Sequence, residues 1–109
     1  MSQTERKHSR SVSHDDAVVE MLREDPSMAQ LYLQTALDEI YEDQGIPAYL
    51  IALRQVIEAR GGIGEISTKA GLSRQQLYKT LSHDGNPTLT TLMKITRAAG
   101  VKLFDSTVK

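Results

Sequence analysis

Arg74, Gln75, Tyr78 and Lys79 lie within one short stretch, SRQQLYKTLS over residues 73–82, and their side chains end in groups that recognise nucleic acid. A guanidinium bonds a guanine edge through two hydrogen bonds and a carboxamide bonds an adenine edge, each pair contributing about 1–3 kcal/mol of discrimination. A lysine at position 79 suits a phosphate. On a helix starting near Arg74, Leu77 and Leu81 fall four apart and face inward. That turns Arg74, Gln75, Tyr78, Lys79 and Ser82 toward the outer face.

The element that must carry these side chains is legible around them. From Gly64 to Leu81 the chain reads GEISTKAGLSRQQLYKTL, with apolar Ile66, Ala70, Leu72 and Leu77 where two short helices crossing at a tight turn need a small core. Ser67 is small where the helices approach. Gly71 falls in the turn, where a helix end commonly needs positive φ. Ser73 and Gln76 form an S-x-x-Q capping box, which starts the second helix at about Arg74. The spacing predicts a helix-turn-helix, for which DNA binding is the expected use, although such units also occur as plain packing motifs.

The residues of other chemistries are not assembled. His8 and His14 fall in a serine-rich amino-terminal stretch and His83 in a turn-forming cluster, with no H-E-x-x-H helix. The carboxylates fall on faces expected to be solvated, so no catalytic residue, cofactor or metal ligand is assigned. Arg60-Gly-Gly-Ile-Gly resembles a phosphate loop only superficially, because it follows a helix and lacks the GK[ST] ending. Cysteine is absent, which removes disulfides and thiolate chemistry and suits a reducing interior. No apolar run serves as a signal-peptide core or membrane span, so a cytoplasmic protein with no membrane partner is expected.

The formal net charge of −1 conceals an asymmetry. Residues 1–60 carry 6 Lys/Arg against 11 Asp/Glu, a balance of −5, and residues 61–109 carry 7 against 3, a balance of +4. A basic half containing the helix-turn-helix suits a polyphosphate. Within residues 15–43 only Arg23 opposes Asp15, Asp16, Glu20, Glu24, Asp25, Asp38, Glu39, Glu42 and Asp43, a balance of −8. Such a run is either a solvated face or the contact for a basic protein, for which Asp38, Glu39, Glu42 and Asp43 are the candidates.

Residues 1–14 lack apolar periodicity and are expected to be a flexible tail, in which Arg6, Lys7 and Arg10 are an alternative minor-groove arm. Asp15 or Asp16 is placed to cap a helix carrying Val18, Val19 and Leu22 that ends at Asp25-Pro26. Ser27 and Gln30 repeat the S-x-x-Q spacing and open a helix with a buried stripe of Leu33, Leu37, Ile40 and Tyr41, closed by Gly45. Pro47 sits in the first turn of the next helix, whose inward face is Leu50, Leu53, Val56 and Ile57, and Gly61-Gly62 ends it. After the turn-forming SHDGNP, Thr88 is placed to cap a last helix, amphipathic through Leu89, Leu92, Met93, Thr96 and Ala99 and stopped by Gly100. Val101, Leu103 and Phe104 alternate with Lys102 and Asp105 as in a half-buried strand, yet the chain offers no second strand. The expected fold is all-α, a compact bundle of about five to six helices with a helix-turn-helix and room for a short C-terminal strand. Residues 15–109 form one helical domain, acidic over 15–60 and DNA-binding over 61–104. At 109 residues with 39% apolar content its core is modest, and self-association would add to it.

The segments LYLQTALDE, IPAYLIALRQVIEARGG, LSRQQLYKTLS, DGNPTLTTLMKI and AAGVKLF together resemble the antidote (antitoxin) proteins of type II toxin-antitoxin addiction modules, over about residues 22–104. LYKTLS followed by GNPTL is the most specific part. The resemblance implies a phage-repressor (XRE) type helix-turn-helix, neutralisation of a small basic toxin of the RelE/ParE type, and repression of the protein's own operon. It also implies that Ser73, Arg74, Gln75, Gln76, Tyr78 and Lys79 lie on the recognition helix. Asn86, Pro87 and Thr88 would lead into the following helix near the DNA backbone, with Thr88 and Leu89 offering main-chain N–H groups to phosphate. Two positions depart from that type: Ile63-Gly64 stands where many such units begin with a phosphate-gripping Gln, and Thr80 where an apolar residue is common.

Three functions fit these features. An autorepressing antitoxin would be a homodimer setting two recognition helices about 34 Å apart on double-stranded DNA with a palindromic operator. A stand-alone repressor explains the carboxy-terminal half equally well and leaves the acidic helices as scaffold. An interaction adaptor would use the same fold without touching DNA.

Overall fold

In the computed structural model, residues 14–104 are described, and they form six helices. α1 covers 14–24, α2 Met28–Asp38, α3 Gly45–Ala59, α4 Gly62–Ala70, α5 Arg74–Thr80 and α6 Leu89–Ala98. The expected arm residues Arg6, Lys7 and Arg10, and nearly all of the expected tail, lie outside the described residues. Among the described residues the fold is all-α, and no helix is long and apolar enough to cross a membrane.

α3 is the axis of the bundle because it is apolar on most of its circumference: Tyr49, Leu50, Ala52, Leu53, Val56 and Ile57 are all buried. α2 packs on one side of it and α4 on another, and α4 in turn carries α5 and α6. One continuous core runs from Leu22, Ala29 and Leu33 through Leu53 and Ile57 to Ile66, Leu77, Ile95 and Val101. The acidic and basic halves thus share a single interior, and burying one such leucine contributes about 1.5–3 kcal/mol.

Polar contacts lock the helices at two places. Tyr32 Oη donates to Gln55 Oε1, and Gln55 Nε2 donates to Asp15 Oδ1 at 2.8 Å. Arg54 bridges the same Asp15 oxygen at 3.0 Å and Glu58 at 2.8 Å, which ties α1 to α3. The hydrogen bond from Gln55 holds the Asp15 carboxyl below its usual pKa, aided by Arg54 and opposed by partial burial. Burial, with the Asp15 charge behind it, pushes the Tyr32 hydroxyl up. At the end of α3, the Arg60 guanidinium donates to Pro26 O at 2.9 Å and Ala99 O at 3.2 Å. Arg60 of the RGGIG stretch is therefore a clamp on main-chain carbonyls, and Gly62 to Gly64 already belong to α4.

Several expectations shift. Ser27 does not cap α2: its hydroxyl donates to Asp25 Oδ1 at 2.6 Å, while the Gln30 amide pairs with the Lys102 main chain. Asp15 lies inside α1 and serves the network instead of a cap. The stripe on α2 stops early, because the helix ends at Asp38 and Tyr41 is 99% exposed in the turn beyond it. Gly45 opens α3 instead of closing α2, and it is required by close approach, since a Cβ there would collide with the carbonyl oxygens of Glu39 and Ile40. On α6 the buried face is Ile95, Thr96 and Ala99, with Leu92 partly covered, while Leu89 and Met93 are 60% and 55% exposed.

The C-terminal strand does not form among the described residues, where 101–104 is irregular. Val101 N–H bonds Thr96 O at 2.9 Å and Gly100 N–H bonds Arg97 O at 3.1 Å, closing α6 in a Schellman turn. A side chain, Gln30, then satisfies Lys102 where a strand partner is lacking.

Candidate nucleic-acid interface

α4 and α5 meet through a turn whose bonds are all local. Leu72 N–H reaches Ser67 O at 2.9 Å and Gly71 N–H reaches Thr68 O at 3.2 Å, with Gly71 at φ +74°. Ser73 then leaves in extended backbone, its hydroxyl accepting from Gln76 N–H at 3.0 Å while Gln76 Oε1 accepts from Ser73 N–H at 2.8 Å. The capping box fixes the start of α5 at Arg74. Ile66, Ser67, Leu77 and Leu81 close the small core beneath, and Leu72 and Thr80 are half-buried at its edge.

All eight positions expected at the interface, Ser73, Arg74, Gln75, Gln76, Tyr78, Lys79, Ser82 and Thr88, are exposed. They divide by what their polar groups already do. Ser73 and Gln76 are spent on the capping box, Ser82 Oγ donates to Lys79 O at 2.8 Å, and Thr88 caps α6 by accepting from Thr91 N–H at 3.1 Å. The heads of Arg74, Gln75, Tyr78 and Lys79 have no hydrogen-bond or ion-pair partner among the described residues. They form one face of α5 with its donors uncommitted.

The loop 82–88 brings Asn86 and Thr88, both exposed, alongside this face in sequence, and ends at the α6 N-terminus. His83 within it bridges back to the Gln44 side chain at 3.0 Å, fastening the loop to the start of α3. Arg74 folds back over the first turn of α4, and its guanidinium lies where a Cβ of Gly64 would be.

The acidic candidates Asp38, Glu39, Glu42 and Asp43 are all exposed and lie at the end of α2 and in the turn after it. Asp38 Oδ1 accepts from Gln34 Nε2 at 3.2 Å; the other three make no ion pair among the described residues. Carboxylates at a helix C-terminus face the negative end of its dipole, an arrangement that costs stability. Tyr41 projects from their midst. No group of three or more His, Asp or Glu among the described residues is close enough to hold a metal.

One surface feature escaped the sequence reading. Leu89, Met93, Leu103 and Phe104 line an open groove beside α6, with Lys94, Arg97 and Lys102 at its rim. Leu89 and Met93, an i, i+4 pair of the amphipathic pattern, belong to this groove and not to the inward face of α6. The face turned inward instead carries the fully buried Ile95, and α4 packs against α6.

The chain is similar to known sequences over most of its length. An uncharacterized protein of Haemophilus influenzae is 40% identical over 70 residues, 64% of this chain and 71% of that one. No solved structure matches the chain. The family model described as "Probable addiction module antidote protein" matches residues 13–107, which takes in every described element from α1 to the groove at Phe104. The chain belongs to this family of addiction module antidote proteins.

Proposed function

We propose that this protein is an antitoxin that holds a cognate basic toxin through its acidic helices and represses its own operon through α4 and α5. The observation that carries the DNA-binding part is the division on α5. The capping duties fall on Ser73 and Gln76, leaving Arg74, Gln75, Tyr78 and Lys79 exposed with free donors on one face. Arg74 and Gln75 read base edges, and Lys79 and the α6 N-terminus at Thr88 hold phosphates. The helix-turn-helix is taken as the phage-repressor type.

Toxin binding is assigned to Asp38, Glu39, Glu42 and Asp43. Four exposed carboxylates, two of them against a helix dipole, sit better in a contact with a basic surface than in an isolated monomer. The same reading makes the protein a cytoplasmic homodimer without cofactor or enzymatic activity. The exposed apolar side chains Leu89, Met93 and Phe104, which line one groove, are the surface that such self-association would bury.

The test has two arms. A duplex from the protein's own promoter is shifted specifically and less so as salt rises; no specific shift leaves the adaptor reading. The product of the adjacent reading frame, a basic chain of the RelE/ParE type, co-purifies with the protein and its toxicity is relieved by it. A specific shift without such a partner leaves a stand-alone repressor.

A further inference from the structure

We infer that Gly64 is a positioning residue for DNA recognition, its missing side chain making the seat in which Arg74 presents its guanidinium. The inference rests on the DNA-binding reading above and adds a residue to it that touches no DNA itself.

An ideal Cβ built on Gly64 would lie 2.5 Å from Arg74 Nη2, 3.0 Å from Cζ and 3.1 Å from Nε. Its three nearest neighbours are thus all atoms of one guanidinium. Gly64 is in the first turn of α4 and has no left-handed φ, so its backbone does not require glycine. In a helix interior glycine costs about 1 kcal/mol relative to alanine. The backbone leaves position 64 open to other residues, and the group that a side chain there would displace is the Arg74 guanidinium.

The guanidinium so placed makes no hydrogen bond or ion pair among the described residues; Glu65, the nearest carboxylate in sequence, is paired with Lys69 at 3.0 Å. Arg74 therefore lies against α4 with all its donors free. Seating a long side chain before binding reduces the rotamer entropy lost when its hydrogen bonds form. An alanine at position 64 would push the guanidinium off α4, and because a flexible side-chain end moves cheaply, the fold would bear no cost.

The experiment compares the full chain with Gly64→Ala, Arg74→Ala and the double variant, binding a duplex from the protein's own promoter and a panel of single-base variants of it. Gly64→Ala is expected to keep or raise the melting temperature and to weaken binding by about tenfold, the scale of one misplaced base contact. Its sequence preference should relax at the same positions as in Arg74→Ala. In the double variant, Gly64→Ala should add no further loss. Unchanged binding in Gly64→Ala, or a loss that persists in full without Arg74, overturns the inference while the DNA-binding reading stands. A lowered melting temperature overturns it too, since the added Cβ would then be meeting the fold. If the wild-type chain fails to bind any promoter duplex specifically, the reading beneath it falls first.

Discussion

Gln30 and Lys102 are joined by two hydrogen bonds of opposite direction: Gln30 Nε2 donates to Lys102 O at 2.9 Å, and Lys102 N–H donates to Gln30 Oε1 at 2.8 Å. One side-chain amide thus pairs with a peptide group as a neighbouring strand would, fastening the end of the chain's described part to the start of α2.

Gln30→Ala should release that segment. Each lost hydrogen bond is worth about 1 kcal/mol, so the variant should be about 1–2 kcal/mol less stable by denaturant titration. The Lys102 amide should exchange faster with solvent, while amides in α3 keep their protection relative to global unfolding.

Ser73→Ala and Ser27→Ala form a matched pair, because both serines head an S-x-x-Q sequence and only Ser73 makes the box. Loss of the Ser73 cap should cost about 1 kcal/mol. Ser27→Ala should stay within about 0.5 kcal/mol, as for an exposed side chain that caps nothing. Urea titrations of the two variants check this directly.

Acid should act on Asp15. Its carboxyl has a lower pKa folded than the 3.8 of the free group, so the stability it contributes is present above that value and is lost as pH falls through the lowered one. Asp15→Asn should be less stable at neutral pH and show a shallower loss of stability below the ordinary carboxylate pKa. Parallel pH profiles for the two proteins would mean that the Gln55 and Arg54 contacts do not form.

Arg74→Ala and Gln75→Ala should relax sequence preference at separate positions of the promoter duplex, each by about 1–3 kcal/mol. Lys79→Ala should weaken all duplexes alike and lower the slope of log affinity against log salt by about one unit. A uniform loss from all three would refute the division of labour on α5.

Reversing Asp38, Glu39, Glu42 and Asp43 to lysine should abolish co-purification with the toxin and leave promoter binding nearly intact. The melting temperature should hold or rise, because the two charges at the end of α2 would then favour its dipole by about 0.3–1 kcal/mol each. Retained co-purification would move the contact elsewhere.

The elements that the residues alone decided are those closed by short-range bonds. The Gly71 turn, the Ser73–Gln76 box, the Thr88 cap and the α6 stop at Gly100 each tie groups within about a turn of one another, so no distant partner competes for them. The inward face of α3 was equally plain, because four apolar residues at helical spacing admit one orientation. What the tertiary structure decided is which of two partners a group takes when one is remote. Gln30 has the same spacing from Ser27 as Gln76 from Ser73, but it goes to Lys102, 72 residues away, and Asp15 leaves a capping role for Arg54 and Gln55. Likewise α6 buries Ile95 and exposes Met93 because α4 lies where it does, and Gly64 has meaning only beside Arg74. Local pattern specifies those helix ends whose bonds are short-range; the packing of other helices decides the rest, and with it the side chains left free to act.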